Sequence, residues 1–303
     1  MEENRTMETL VKQYAKYISD INPYHNSDML EKFDDGLDDY TGYIDNITEE
    51  WFNSFNEELG ATPKEYLYSL KKPENEEETY EVIKLVSLNL IILAPKFFVD
   101  YLSEIEFTKP CVKKILQDDV IAKSYHEAYS EKDDYEAFEL YSQAVVLSQA
   151  YEDLADDLLE AIKKCHPAND NILEYIVESL VKMQTFDKVI GHLNDIDEID
   201  MKYLNLLYVI TKHKSDDTYK CLRRCFKKIN DDGVKHLAAY MFAEYGDSRA
   251  VPLLRKYAMD LRNRLVNSFE MSEEQRKELN WSFFGVVNTI EQMGGNVEDL
   301  KNF

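Results

Sequence analysis

The sequence predicts an all-α protein, an α-α superhelix built from antiparallel helix pairs. Three observations carry this. Apolar residues recur at three- and four-residue spacing along almost the whole chain, and period-2 alternation never persists. Gly (9) and Pro (7) are scarce among 303 residues, whereas strands joined by tight turns need more of both. The connections between periodic segments are short, which makes successive helices antiparallel neighbours.

The elements follow in order. Helices are expected near 5–20, 28–40, 46–58, 63–71, 76–93, 96–105, 109–129, 134–149 and 151–164. Others are expected near 170–184, 186–193, 199–213, 216–229, 232–245, 248–266 and 272–293. Thr62-Pro63-Lys64-Glu65 places a cap, a first-turn proline and a capping-box glutamate in the right order. Leu85 to Ala94 is the most apolar stretch, but it is too short for the ~20 residues of a membrane span and reads as buried helix. His166-Pro167 stops one helix, and Asn169-Asp170 caps the next. Ile172, Leu173, Ile176, Val177, Leu180 and Val181 form one stripe, and Val234, Leu237, Ala238, Met241, Phe242 and Tyr245 a second. Val251, Leu254, Ala258, Leu261 and Leu265 form a third, and Leu279, Phe283, Val286, Val287, Ile290 and Met293 a fourth. Segment 199–213 is apolar on most sides and is expected between other helices.

Pairs begin near residues 170, 199 and 232, a period that signals helical repeats. Gly246-Asp247-Ser248-Arg249-Ala250-Val251-Pro252-Leu253-Leu254 resembles the turn of a HEAT-like repeat. Gly246 supplies a positive φ, Asp247 or Ser248 a cap, Pro252 a first-turn residue, and Val251 and Leu254 core contacts. Met293-Gly294-Gly295 through Leu300 echoes this turn. Asp134 to Ala144, with Ala137, Tyr141 and Ala144 in register, looks like the second helix of a tetratricopeptide repeat, without that family's Trp-x-x-Leu-Gly opening. The resemblances cover about a third of the chain and imply a superhelix that presents a binding surface.

Charge is uneven. The chain carries 35 Lys+Arg against 59 Asp+Glu, a net −24. Residues 1–167 hold 16 basic and 37 acidic side chains, and residues 168–303 hold 19 and 22, so the expected division is an acidic half 1–167 and a HEAT-like half 168–303. Such a charge repels phosphate backbones and anionic lipid, so neither nucleic acid nor a membrane is expected as partner. MEENRTMETLVKQY has no basic n-region or apolar h-region, and Cys111, Cys165, Cys221 and Cys225 form no CxxC, so reduced thiols in a cytoplasm are expected.

Tests for chemistry return little. There is no HExxH, P-loop, G-x-G-x-x-G or nucleophile elbow. Cys221 and Cys225 share a helix face, with His213 the nearest further ligand type, and read as packing thiols. Asp34 to Gly42 briefly resembles a calcium loop, but neither glycine register works. No cofactor, no metal and no catalytic residue is expected. Two charged groups remain as candidate binding residues. One is the acidic set Asp34, Asp35, Asp38 and Asp39. The other is the basic run around Lys220, Arg223, Arg224, Lys227 and Lys228, with Arg255, Lys256, Arg262 and Arg264 about one repeat later. The 21 tyrosines supply flat contact area with a polar tip. The expected function is non-catalytic protein binding, of an adaptor, regulatory or immunity type, with a basic partner engaged through 1–167. Two alternatives stay open: a HEAT-like DNA glycosylase using the 212–264 basic region, and an acidic DNA mimic.

Overall fold

The computed structural model describes residues 5–21, 37–90, 93–128, 130–267 and 271–301. Among them the fold is all-α, and the β-type pairing is an isolated bridge, Asn56 with Ala61. Contacts divide the chain into two compact units, Met1–Asp157 and Leu158–Phe303.

The first unit holds α1 (Met7–Ile21), α2 (Leu37–Asn53), α3 (Pro63–Ser69), α4 (Glu76–Asn89), α5 (Lys96–Ser103), α6 (Thr108–Leu116), the short α7 (Tyr125–Ala128) and α8 (Lys132–Ser148). The capping box expected at Thr62 is present: the Thr62 side chain accepts from Glu65 N, and Glu65 accepts from Thr62 N. Helix α8 is the hub, packed by α4, α5, α6 and α7. It therefore buries residues on several sides, including Phe138, Tyr141, Ala144 and Val145. Aromatic rings join α1, α2 and α5. Tyr14 meets Trp51, Phe97 and Phe98, and Phe52 stacks on Phe97 at 4.3 Å.

Two boundaries differ from expectation. Most of the helix expected at 28–40 falls outside the described residues; from Leu37 one helix runs through the connection expected at 41–45, Tyr40-Thr41-Gly42 included, and stops at Asn53, short of the expected end at 58. Gly42 costs about 1 kcal/mol inside a helix. Burial of Trp51 and Thr48, the latter hydrogen-bonded to the Tyr14 hydroxyl at 2.9 Å, outweighs it. Beyond Asn53 the chain turns through the Asn56–Ala61 bridge, with Gly60 at φ +62°. The helix expected over 109–129 breaks after Leu116. Asp118 accepts a hydrogen bond from Val120 N, a local alternative to helix, and a 3-10 turn occupies Val120–Ala122. A second capping box, Ser124 with Glu127, then starts α7.

Helix α9 (Ala155–Lys164) spans the division between the units, upstream of His166-Pro167. The second unit continues with α10 (Asp170–Met183), α11 (Phe186–Asp195), α12 (Met201–Thr211), α13 (Asp216–Lys228), α14 (Asp232–Tyr245), α15 (Val251–Val266), α16 (Glu273–Gln292) and the short α17 (Glu298–Lys301). Its packing is two-rowed. Helices α10, α12, α14 and α16 stack on one another in that order, and α11, α13 and α15 lie behind them. This is a stack of antiparallel helix pairs, and α12 sits between neighbours as its apolar sequence predicts. Gly246 ends α14 at φ +76°, its N–H bonding Phe242 O, and Asp247 accepts from Arg249 N. Asn169 takes the N-cap position of α10 as expected, its carbonyl accepting from Leu173 N, but its side chain, 2% exposed, makes no cap hydrogen bond.

Candidate functional site

Asp34 and Asp35 lie outside the described residues. Asp38 and Asp39 lie in α2, so residues 37–42 of the calcium-like stretch are helix and not loop. The basic run is described fully, and most of it is occupied. Lys220 pairs with Asp217 at 3.0 Å, and Arg223 lies over the Tyr219 ring. Arg224 donates to Asn194 Oδ1, and Lys228 donates to Asn194 O at 3.1 Å and to Ile196 O. Lys227 is exposed. Asn194 and Ile196 mark the end of α11, where helix carbonyls lack intrahelical donors and carry partial negative charge.

The same device recurs through the second unit. Lys202 donates to Lys163 O at 3.0 Å, Lys214 to Glu244 O at 3.1 Å and to Tyr245 O, and Lys235 to Ile229 O at 2.8 Å. Each carbonyl stands at or just beyond a helix end. Arg255 and Arg262 hold the α17 segment through Asn296 O, Asp299 and Asp299 O, while Arg264 pairs with Asp232. The two basic clusters thus engage different internal acceptors, and much of the cationic charge tethers one helix to another.

Cys221 and Cys225 lie 3.9 Å apart, both buried. The hydrogen bond with the Cys225 thiol, and then burial, push the Cys221 thiol well above its usual range. Burial pushes Cys165 up to about 11. His213 stacks on Phe186 at 5.1 Å. Among the described residues no three His, Cys, Asp or Glu side chains gather at metal-binding distance.

Exposed aromatic side chains recur along the α12–α14–α16 row, at positions that helical spacing places opposite the buried residues of α12 and α16. Tyr208 of α12 (37% exposed), and Trp281 (62%) and Phe284 (44%) of α16, are displayed there. Leu237, Tyr240 and Met241 of α14 are half-buried between them. Leu237 and Met241 belong to the second apolar stripe yet are half-buried, whereas Val234, Ala238, Phe242 and Tyr245 of the same stripe are buried. Lys212 sits over the Tyr208 ring at 3.9 Å. The displayed tryptophan is held by a buried histidine. His236 is 1% exposed, contacts Trp281 edge-to-face at 4.0 Å, and fits against Gly285, where an added Cβ would lie 2.7 Å from His236 Cδ2. Burial holds His236 below its ordinary pKa, opposed by the Gly233 backbone, so a neutral ring is favoured.

Sequence reasoning missed this face. Trp281 and Phe284 lie between the core positions of the fourth stripe, and the signal available was two large aromatics on the face that helical spacing assigns to solvent. Large exposed apolar side chains grouped on one surface mark interaction sites. Comparison with protein-family models, with curated proteins and with solved structures finds no match.

Proposed function

We propose that this chain is a non-catalytic protein-interaction module, a helical-repeat protein that engages a partner with a basic surface. The observation that carries the reading is the aromatic face of the α12–α14–α16 row. Aromatic side chains dominate interface energetics because they bury large areas at low entropic cost, and Tyr and Trp keep a polar tip for hydrogen bonding. The preference for a basic partner rests on charge. The acid excess lies in residues 1–167, where complementary charge speeds encounter and orients approach. In the second unit the cations of the 212–264 region are largely engaged with helix ends and carboxylates, which argues for the protein-binding reading over the DNA-glycosylase alternative.

The test is affinity capture from native cells with wild-type protein and a Trp281→Ala/Phe284→Ala variant, read by mass spectrometry and followed by binding of the purified partner. The reading expects a partner with a basic surface, retained by wild type and lost by the variant. An acidic partner, or equal retention by both proteins, overturns it.

A further inference from the structure

A second concave feature lies in the first unit, between α1 and the turn that follows α2. It is a cavity of about 350 Å³ whose lining includes Tyr17, Trp51 and Phe55 together with Lys16, Asp20, Glu57 and Glu58. Phe55 is 68% exposed. Its position is fixed by the Asn56–Ala61 bridge and by Leu59 N donating to Asn56 Oδ1 at 3.1 Å. Tyr17 and Trp51 stack at 5.8 Å with an interplanar angle of 25°, and the Tyr17 hydroxyl donates to Ile47 O, so the aromatic wall is anchored on two helices. The chain's own Lys16 shows what the carboxylates accept: its ammonium pairs with Glu58 at 3.1 Å. Among the described residues Asp20 and Glu57 make no ion pair; Lys16, the cation in the lining, is engaged by Glu58, so the lining keeps an excess of two carboxylates.

Rings beside an excess of carboxylate form a site of specific chemistry. An anion is repelled, and a purely apolar side chain leaves Asp20 and Glu57 without gain. A lysine or arginine side chain satisfies both parts. Its aliphatic stem lies on the rings while its head meets the carboxylates and the negative ring faces. We infer that this cavity receives a lysine or arginine side chain of the basic partner, and so is the anchoring pocket of the acidic unit. The inference rests on the basic-partner reading above and adds to it a residue-level site.

The experiment uses the full chain and fluorescein-labelled oligo-lysine and oligo-arginine peptides, with an oligo-glutamine peptide as neutral control, read by fluorescence anisotropy. Phe55→Ala leaves the net charge unchanged, and Phe55 is exposed enough that the fold tolerates the loss, as circular dichroism will verify. It should weaken binding of the basic peptides about fivefold or more. Asp20→Asn/Glu57→Gln should weaken it further. A charge-matched control, Glu106→Gln/Glu131→Gln, removes two exposed carboxylates elsewhere in the same unit and should have a clearly smaller effect. Wild-type affinity for Phe55→Ala, an equal loss in the control pair, or failure of wild type to prefer basic over neutral peptide overturns the pocket. A captured basic partner that ignores Phe55, Asp20 and Glu57 overturns the pocket and leaves the protein-binding reading standing. A captured acidic partner overturns that reading itself.

Discussion

Gly285→Ala sets two opposed effects against each other, and their sign tests the packing of α14 on α16. Alanine is favoured over glycine in a helix interior by about 0.8–1 kcal/mol, so on propensity alone the substitution stabilises. The new Cβ, however, would stand 2.7 Å from His236 Cδ2. The His236 ring is 1% exposed and is backed by Trp281 at 4.0 Å, so it has no open space to enter. Overpacking of this kind costs about 1–3 kcal/mol. The expected net effect is a destabilisation of about 1 kcal/mol. In a His236→Ala background the obstruction is gone, and the same substitution should become neutral or stabilising, giving a coupling energy of about 1–3 kcal/mol. Urea unfolding of wild type, the two single variants and the double variant measures all four corners. A Gly285→Ala protein more stable than wild type, or additive single effects, would refute the claim that glycine is there to seat the histidine.

Three further outcomes follow from the geometry. Gly246→Val should destabilise by about 1–3 kcal/mol, because Gly246 stands at φ +76° while an added Cβ meets nothing closer than 3.9 Å, so the cost is backbone strain; Gly246→Asn should cost less, and thermal melting of both variants checks it. His236 has a folded pKa below its ordinary 6.5, so its contribution is fully present above about pH 6.5 and is lost as pH falls through the folded value; unfolding free energies across that window should decline more steeply for wild type than for His236→Gln. Lys228→Met keeps the aliphatic stem but strips the donor from Asn194 O and Ile196 O at the end of α11, and should lower stability by about 1 kcal/mol in chemical denaturation.

Features written in a few consecutive residues were legible in the sequence. Thr62 to Glu65 specifies a capping box locally, and Gly246-Asp247 specifies a helix end and a cap, so both are found as read. The stripe Leu279, Phe283, Val286, Val287 and Ile290 is buried for the same reason. Features that depend on the third dimension were not legible. Residues 41–45 read as a connection between helices but are carried through as helix by packing of α2 on α1, and the helix expected over 109–129 ends at Leu116, where Asp118 captures Val120 N. The internal acceptors of Arg224 and Lys228 lie about one repeat upstream, so a run that reads as a free basic surface is in large part helix-end capping. The His236, Gly285 and Trp281 trio joins two helices, and no spacing within either reveals it.

The proposed partner would dock on the aromatic face of the second unit, drawn by the acidic charge of the first. The most direct measurement is the affinity of the captured, purified partner for wild type and for Trp281→Ala/Phe284→Ala across ionic strength. The variant should lose about 2 kcal/mol or more at every salt concentration, about thirtyfold in Kd. Wild-type association should slow as salt rises, because exposed charges are screened beyond roughly 8 Å at physiological ionic strength. Wild-type affinity in the variant, or association that quickens with salt, would contradict this docking.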